Sequence, residues 1–185
     1  EIFDEAGLLT TRCVMAHGVH LTKGEMTTLA ERGSGVACCP LSNAVLSKGD
    51  FRLREAERVG LKVGLGTDIA GGYASSLLNA CRHAVVAAKA LEAYTEPDGE
   101  VGVDYARAFW TATLGGARAC NLDDVLGNFE VGKQFDAVVV ATGRGAYDEP
   151  MFNAYEAGSA LKTEFELFIN LGDDRNVKKV FVAGK

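Results

Sequence analysis

Hydrophobic and polar positions along the chain alternate between two rhythms, short apolar strands and amphipathic helices. Residues 61–65 show the first rhythm best, with Leu61, Val63 and Leu65 separated by Lys62 and Gly64; this is the two-residue period of a strand. The strand runs into Thr67, Asp68 and a turn holding Gly71 and Gly72, and a helix is predicted to open near Ser75. Two similar units come before it. Residues 12–16 read as a strand ending at His17, and residues 34–39 as a strand stopped by Pro40. Between them, Thr22 and Glu25 form a capping box, with Leu21 and Met26 placed as a hydrophobic staple. Met26, Leu29 and Ala30 give that helix its apolar stripe, and Gly33 fits the position just past its end.

The stretch from Pro40 to Gly49 is expected to be a loop, leading to a helix capped by Asp50 and ended by Gly60. A third helix is expected over 75–93, with Leu77, Leu78, Cys81, Ala84, Val85, Ala88 and Leu91 on one face. After a polar loop, one or two helices are expected between Asp104 and Cys120, broken near Gly115 and Gly116. Strand–helix alternation of this kind implies parallel strands joined by right-handed crossovers. Three such units make either a small open sheet or the last third of an eight-stranded barrel. The pattern changes after Leu122. Phe135 and Ala137–Val140 read as a strand, 152–168 as a helix with Ala154, Ala157, Leu161, Phe165 and Phe168 on one side, and 177–185 as a closing strand. The expected division is therefore 1–122, an α/β part, and 123–185, a smaller β-rich unit.

Composition narrows the class. Hydrophobic residues make up 48% and charged residues 24% of the 185 positions, as in an ordinary globular protein. A net charge of −6 with no basic tract argues against nucleic acid as a partner. No apolar run is long enough to span a membrane, and no signal peptide is evident. The five cysteines (Cys13, Cys38, Cys39, Cys81, Cys120) lie scattered in apolar runs without a CxxC pair. They are expected to be reduced, buried thiols of a cytoplasmic protein. The opening at Glu1 reads like the interior of a longer chain.

Two side chains carry the candidate chemistry. His17 and Asp68 each follow a strand, and in a parallel sheet those strand ends share one edge, where α/β enzymes keep their reacting groups. Such a pair can hold a cation or handle protons. The alternatives are a buried histidine with a backbone partner and an aspartate that caps a turn or helix. His20 is read as a surface residue, and His83 as exposed on the third helix. Asn43, after the second strand, either orders its loop or touches a ligand. Phe109 and Trp110 are read as core or interface, Cys38 and Cys39 as core. Asp173, Asp174 and Arg175 are read as a solvated turn. Gly71 and Gly72 let the backbone pass close to a ligand pocket; their spacing does not match a phosphate-binding loop.

The stretches VMAHGVHL, CCPLSN, VGLGTDIAGG and LGNFEVGKQFDAVVV, in that order and spacing, resemble the last three barrel strands of the amidohydrolase superfamily and its return into a small β-sandwich. GTDIAGGYASSLLNACRHAV and LGDDRN–VKKVFVAGK resemble its guanine-deaminating branch. The resemblance implies the C-terminal part of a (β/α)8 barrel and a zinc-dependent conversion of guanine to xanthine and ammonia. It implies one zinc ion per site, a guanine-binding pocket and a homodimer. Asp68 aligns with the aspartate that binds the metal and takes a proton from the attacking water. His17 aligns with the histidine that faces that water and the developing charge, where a well-placed donor is commonly worth about 3 kcal/mol. Both would therefore be catalytic and would touch the substrate. The family's His-x-His pair, its further histidine and its glutamate proton shuttle have no counterpart here. The segment alone is therefore expected to bind zinc weakly and to be inactive. The other readings are a sibling enzyme acting on a different aminated or chlorinated ring, and a non-catalytic remnant serving as an interaction module.

Overall fold

A computed structural model describes residues 2–47, 49–95, 102–142, 146–147 and 160–185. The chain divides into two compact units, Glu1–Lys133 and Gln134–Lys185. The first unit is α/β. Strands β1 (Val14–Ala16), β2 (Gly35–Cys38) and β3 (Lys62–Leu65) form a parallel sheet in the order β1-β2-β3. Helices α1 (Ile2–Glu5), α2 (Lys23–Glu31), α3 (Pro40–Leu46), α4 (Leu53–Arg58), α5 (Leu77–Thr95), α6 (Tyr105–Ala112) and α7 (Leu114–Ala119) belong to the same unit. Strand–helix alternation, read from the two rhythms, is thus present. No helix among the described residues is long and apolar enough to cross a membrane.

The capping box of α2 forms as its sequence requires. The Thr22 hydroxyl accepts from the Glu25 N–H at 3.3 Å, and the Thr22 N–H donates to the Glu25 carboxylate at 2.8 Å. Gly33 follows the C-cap Arg32 with φ +70°, a left-handed turn that glycine adopts without strain. The stripe of α2 reaches the core, where Met26 and Leu29 are buried beside Val36, Leu53, Val63, Cys81, Val85 and Ala108.

Three local expectations are corrected. Pro40 does not begin a loop; it opens α3 at its first turn, where a residue without an N–H loses no helical hydrogen bond. Asp50 does not cap the next helix, because α4 starts after Arg52 without a side-chain cap; the Asp50 Oδ1 is instead buried with no hydrogen-bond partner among the described residues. The break between α6 and α7 lies at Thr113, not at the glycine pair. Asp104 caps α6 by accepting from the Arg107 N–H at 2.7 Å. Gly115 and Gly116 lie within α7 and serve packing. A Cβ on Gly64 would lie 2.8 Å from the Gly116 Cα, and one on Gly115 would lie 2.9 Å from the Val63 carbonyl oxygen. The helix therefore rests directly on the strand backbones. Alternation places Gly35 and Gly64 toward α7, while the register partners Val36 and Val63 enter the core from the other face.

Side-chain burial corrects the pattern elsewhere. Leu77, assigned to the buried face of α5, is exposed, and so is Cys120. Cys38, Cys39 and Cys81 are buried, and Cys13 is half-buried. His83 is half-buried, with its Nε2 3.2 Å from the Tyr73 hydroxyl. Trp110 is half-buried under the Arg107 guanidinium, 4.2 Å from the ring centre.

In the second unit, β4 (Ala137–Val140) pairs antiparallel with β5 (Val177–Phe181). Phe135 precedes β4 instead of belonging to it, and its ring meets Phe181 edge to face at 5.4 Å. Helix α8 (Ala160–Leu171) buries Ile169 completely, whereas Leu161, expected on its inner side, is exposed. The expected positions Ala154 and Ala157 lie outside the described residues. Asp173 accepts from the Arg175 N–H at 2.9 Å and opens a short 3-10 turn into β5, so the LGDDRN stretch is the turn its composition suggested.

Candidate functional site

The site is assembled at the carboxyl edge of the parallel sheet. His17 directly follows β1, Asp68 stands three residues beyond β3, and α3 starts after a single residue, Cys39, beyond β2. Each strand therefore delivers one polar residue to the same edge. The backbone turns sharply at both outer positions, with φ +66° at His17 and φ +49° at Asp68. These are left-handed conformations that side-chain-bearing residues seldom adopt. His17 is held there because its N–H donates to the Ala37 carbonyl of β2 at 2.9 Å. Asp68 is held because its carbonyl accepts from the Gly72 N–H at 2.7 Å. Gly71 is needed beside it, since a Cβ there would lie 2.7 Å from Asp68 Oδ2.

The two candidate side chains converge. His17 Nε2 lies 3.7 Å from Asp68 Oδ2, and each side chain is a little over one third exposed, at 38% and 35%. The other ring nitrogen, Nδ1, is 2.9 Å from the Asn43 Oδ1. Asn43 is fully buried in α3, so it does not order a loop. Its place in the site was hidden by reading 40–49 as a loop. The available signal was Pro40 at a helix first turn, which puts Asn43 one turn along, facing the sheet edge. Cys39 also borders the site. Burial, and then the charge of Asp68, push its thiol up, so it remains protonated. A cleft of about 580 Å³ opens beside His17, walled by Leu21, Glu25, Leu46 and Ser47 among others. Asp68 does not line it. His20 is exposed, as read from sequence.

A carboxylate oxygen with an imidazole nitrogen beside it is a donor set that suits zinc. Catalytic zinc sites use about three protein ligands, and no cluster of three or more His, Cys, Asp or Glu that could hold a metal occurs among the described residues. The pair fits as one part of such a site.

The sequence profile of the amidohydrolase family matches residues 2–185. The chain belongs to the amidohydrolase family. This amidohydrolase chain is 41% identical over 187 aligned residues to guanine deaminase of Mus musculus, covering 100% of the chain and 40% of that protein. Among solved structures, E. coli guanine deaminase superposes with a TM-score of 0.82 at 33% identity, over 100% of this chain and 40% of that one. An adenosine deaminase from Xanthomonas campestris, solved with zinc bound, gives 0.78 at 30% identity, over 100% of this chain and 38% of that one. The chain thus spans about 40% of the length of the relatives it matches.

Proposed function

We propose that the chain provides the last three strand–helix units of a (β/α)8 barrel (1–122) and the returning segment of a small β-sandwich (123–185) in a zinc-dependent guanine deaminase. The observation that carries this reading is the meeting of His17 and Asp68 across β2, 3.7 Å apart, in a chain 41% identical along its whole length to a guanine deaminase. The reaction is hydrolysis: water adds to the ring carbon bearing the amino group, the C–N bond breaks, and xanthine and ammonia leave.

Asp68 would be one ligand of a single zinc ion, the remaining ligands lying outside this chain. Zinc, when bound, supplies Lewis acidity that lowers the pKa of a coordinated water from about 15.7 to about 7. The chain's own residues then divide the work. Asp68 accepts a proton from the attacking water and holds it while the tetrahedral centre forms. His17 faces that water and orients it against the substrate carbon. The glycines at 71 and 72 keep the turn after β3 slim enough for a flat base to approach Asp68. The reading includes a cytoplasmic homodimer with guanine as the small-molecule partner.

The test is a steady-state assay of guanine loss and ammonia release by the zinc-loaded full-length protein. Guanine should be consumed, and Asp68→Asn should lower kcat by about 100-fold or more. Failure to turn over guanine, or an Asp68→Asn variant of undiminished kcat, would overturn it. Preference for an aminated nucleoside over guanine would favour the sibling reading that the adenosine deaminase likeness keeps in view. Residues 1–185 alone should bind zinc weakly; stoichiometric zinc in that segment would contradict the assignment of the other ligands.

A further inference from the structure

Asn43 is fully buried, and its side chain reaches His17. Its Nδ2 is also buried and has no hydrogen-bond partner among the described residues. Leucine would fill a similar volume without burying an unpartnered donor, so packing alone does not account for an amide at this position. What the amide gains is one contact, Oδ1 to His17 Nδ1 at 2.9 Å.

We propose that Asn43 is a positioning residue that fixes neutral His17 as the tautomer protonated on Nδ1. An amide oxygen can only accept, so Nδ1 must carry the hydrogen. Nε2 is then a bare acceptor aimed toward Asp68. The second distance agrees. A protonated Nε2 beside a carboxylate would close to about 2.7–2.9 Å, whereas Nε2 and Asp68 Oδ2 stand 3.7 Å apart. Two acceptors at that separation can share a group that brings hydrogen or positive charge between them. The oxygen of Asn43 is rigidly placed for this task. Its N–H donates to the Cys39 carbonyl at 2.9 Å, and its own carbonyl accepts from Ser47 at 2.9 Å. Its neighbour Ser42, also fully buried, donates its hydroxyl to Cys39 at 3.2 Å.

The tautomer is a property of this chain; its meaning for deamination rests on the function proposed above. Held this way, His17 Nε2 accepts a hydrogen bond from the attacking water and aims the water's oxygen at the substrate, while Asp68 takes the proton. An outer residue that orients a histidine in this manner is commonly worth about 10- to 100-fold in activity.

The test is 15N NMR of histidine-labelled protein at a pH where imidazole is neutral. With three histidines in the chain, His17 is assigned by its loss in His17→Gln. His17 should show a protonated-type Nδ1 and a bare-type Nε2. Asn43→Leu should shift the ring toward the Nε2-protonated form, and Asn43→Asp, which still accepts, should restore the Nδ1-protonated form. In the guanine assay, Asn43→Leu should lower kcat by about 10- to 100-fold with a smaller change in KM, and Asn43→Asp should recover most of it. Wild-type His17 protonated on Nε2, or an unchanged tautomer in folded Asn43→Leu, would overturn the proposal. If Asn43→Leu does not fold, the wild-type spectrum still decides. Absence of guanine turnover in the wild type would sink the proposed function while leaving the NMR result to judge the tautomer.

Discussion

The close seat of α7 on the sheet makes a sharp prediction for Gly64→Ala. A Cβ at Gly64 would lie 2.8 Å from the Gly116 Cα, 3.4 Å from its N and 3.5 Å from the Ala119 Cβ, while ordinary contact begins at 3.4 Å. The shortest contact must therefore open by about 0.6 Å. The two shortest contacts are to the Gly116 backbone and the third is to the rigid Ala119 Cβ, so β3 or α7 has to move as a body. Overpacking of this kind costs about 1–3 kcal/mol. Gly24→Ala is the internal control. It lies in the first turn of α2, and a Cβ there meets nothing within 4 Å. The exchange should stabilise by about 0.4–1 kcal/mol, through helix propensity and a less disordered unfolded chain. Urea unfolding followed by circular dichroism reads both. With a slope of about 1–3 kcal/mol per molar urea, the Gly64→Ala midpoint should fall by on the order of 1 M, and the Gly24→Ala midpoint should rise. A Gly64→Ala protein as stable as wild type would refute the argument that α7 requires bare backbone beneath it.

Three further outcomes are expected. Met26→Ala empties a fully buried site in the core and should cost about 2–5 kcal/mol by the same urea assay; a loss below about 1 kcal/mol would show that the core collapses around the gap. Iodoacetamide at pH 8 should modify exposed Cys120 first and leave Cys38, Cys39 and Cys81 unmodified in the folded protein. Burial raises these three thiols, that of Cys81 up to about 11; fast labelling of Cys39, read by peptide mass spectrometry, would contradict the site's description. The Glu25 carboxyl is held below its ordinary range by the Thr22 N–H and then the Thr22 hydroxyl. Its support for α2 is therefore complete above the ordinary glutamate pKa and lost as pH falls through the lowered value. The Tm difference between wild type and Glu25→Ala should be largest near pH 7 and shrink below about pH 4; a difference that grows on acidification would refute it.

The sequence made legible those features whose causes are local. The capping box of α2, Gly33 past its end and the alternation in β3 are set by neighbouring residues, and they appear where the pattern placed them. The convergence of His17 and Asp68 was legible because parallel strands share an edge, which is a rule of topology and needs no side-chain detail. What escaped was set by distant contacts. Gly115 and Gly116 read as a helix break, because glycine lowers helix propensity, but the closeness of Val63 and Gly64 gives them another purpose. Leu77 and Leu161 fit helical stripes yet face outward, since periodicity names a face without saying whether anything covers it. Asn43 escaped for both reasons: Pro40 reads as a stop in the sequence, and the partner of Asn43 lies 26 residues away.

Left-handed backbone at His17 and Asp68 has a consequence for how this chain could change. An ordinary residue in that conformation gives up roughly 1–2 kcal/mol, with aspartate more tolerant than histidine. Glycine would relax both turns while deleting the imidazole and the carboxylate. Under the proposed function, the two positions that carry the chemistry are thus places where the fold would prefer no side chain at all. A descendant with no need of the imidazole would be expected to gain stability by losing its histidine first.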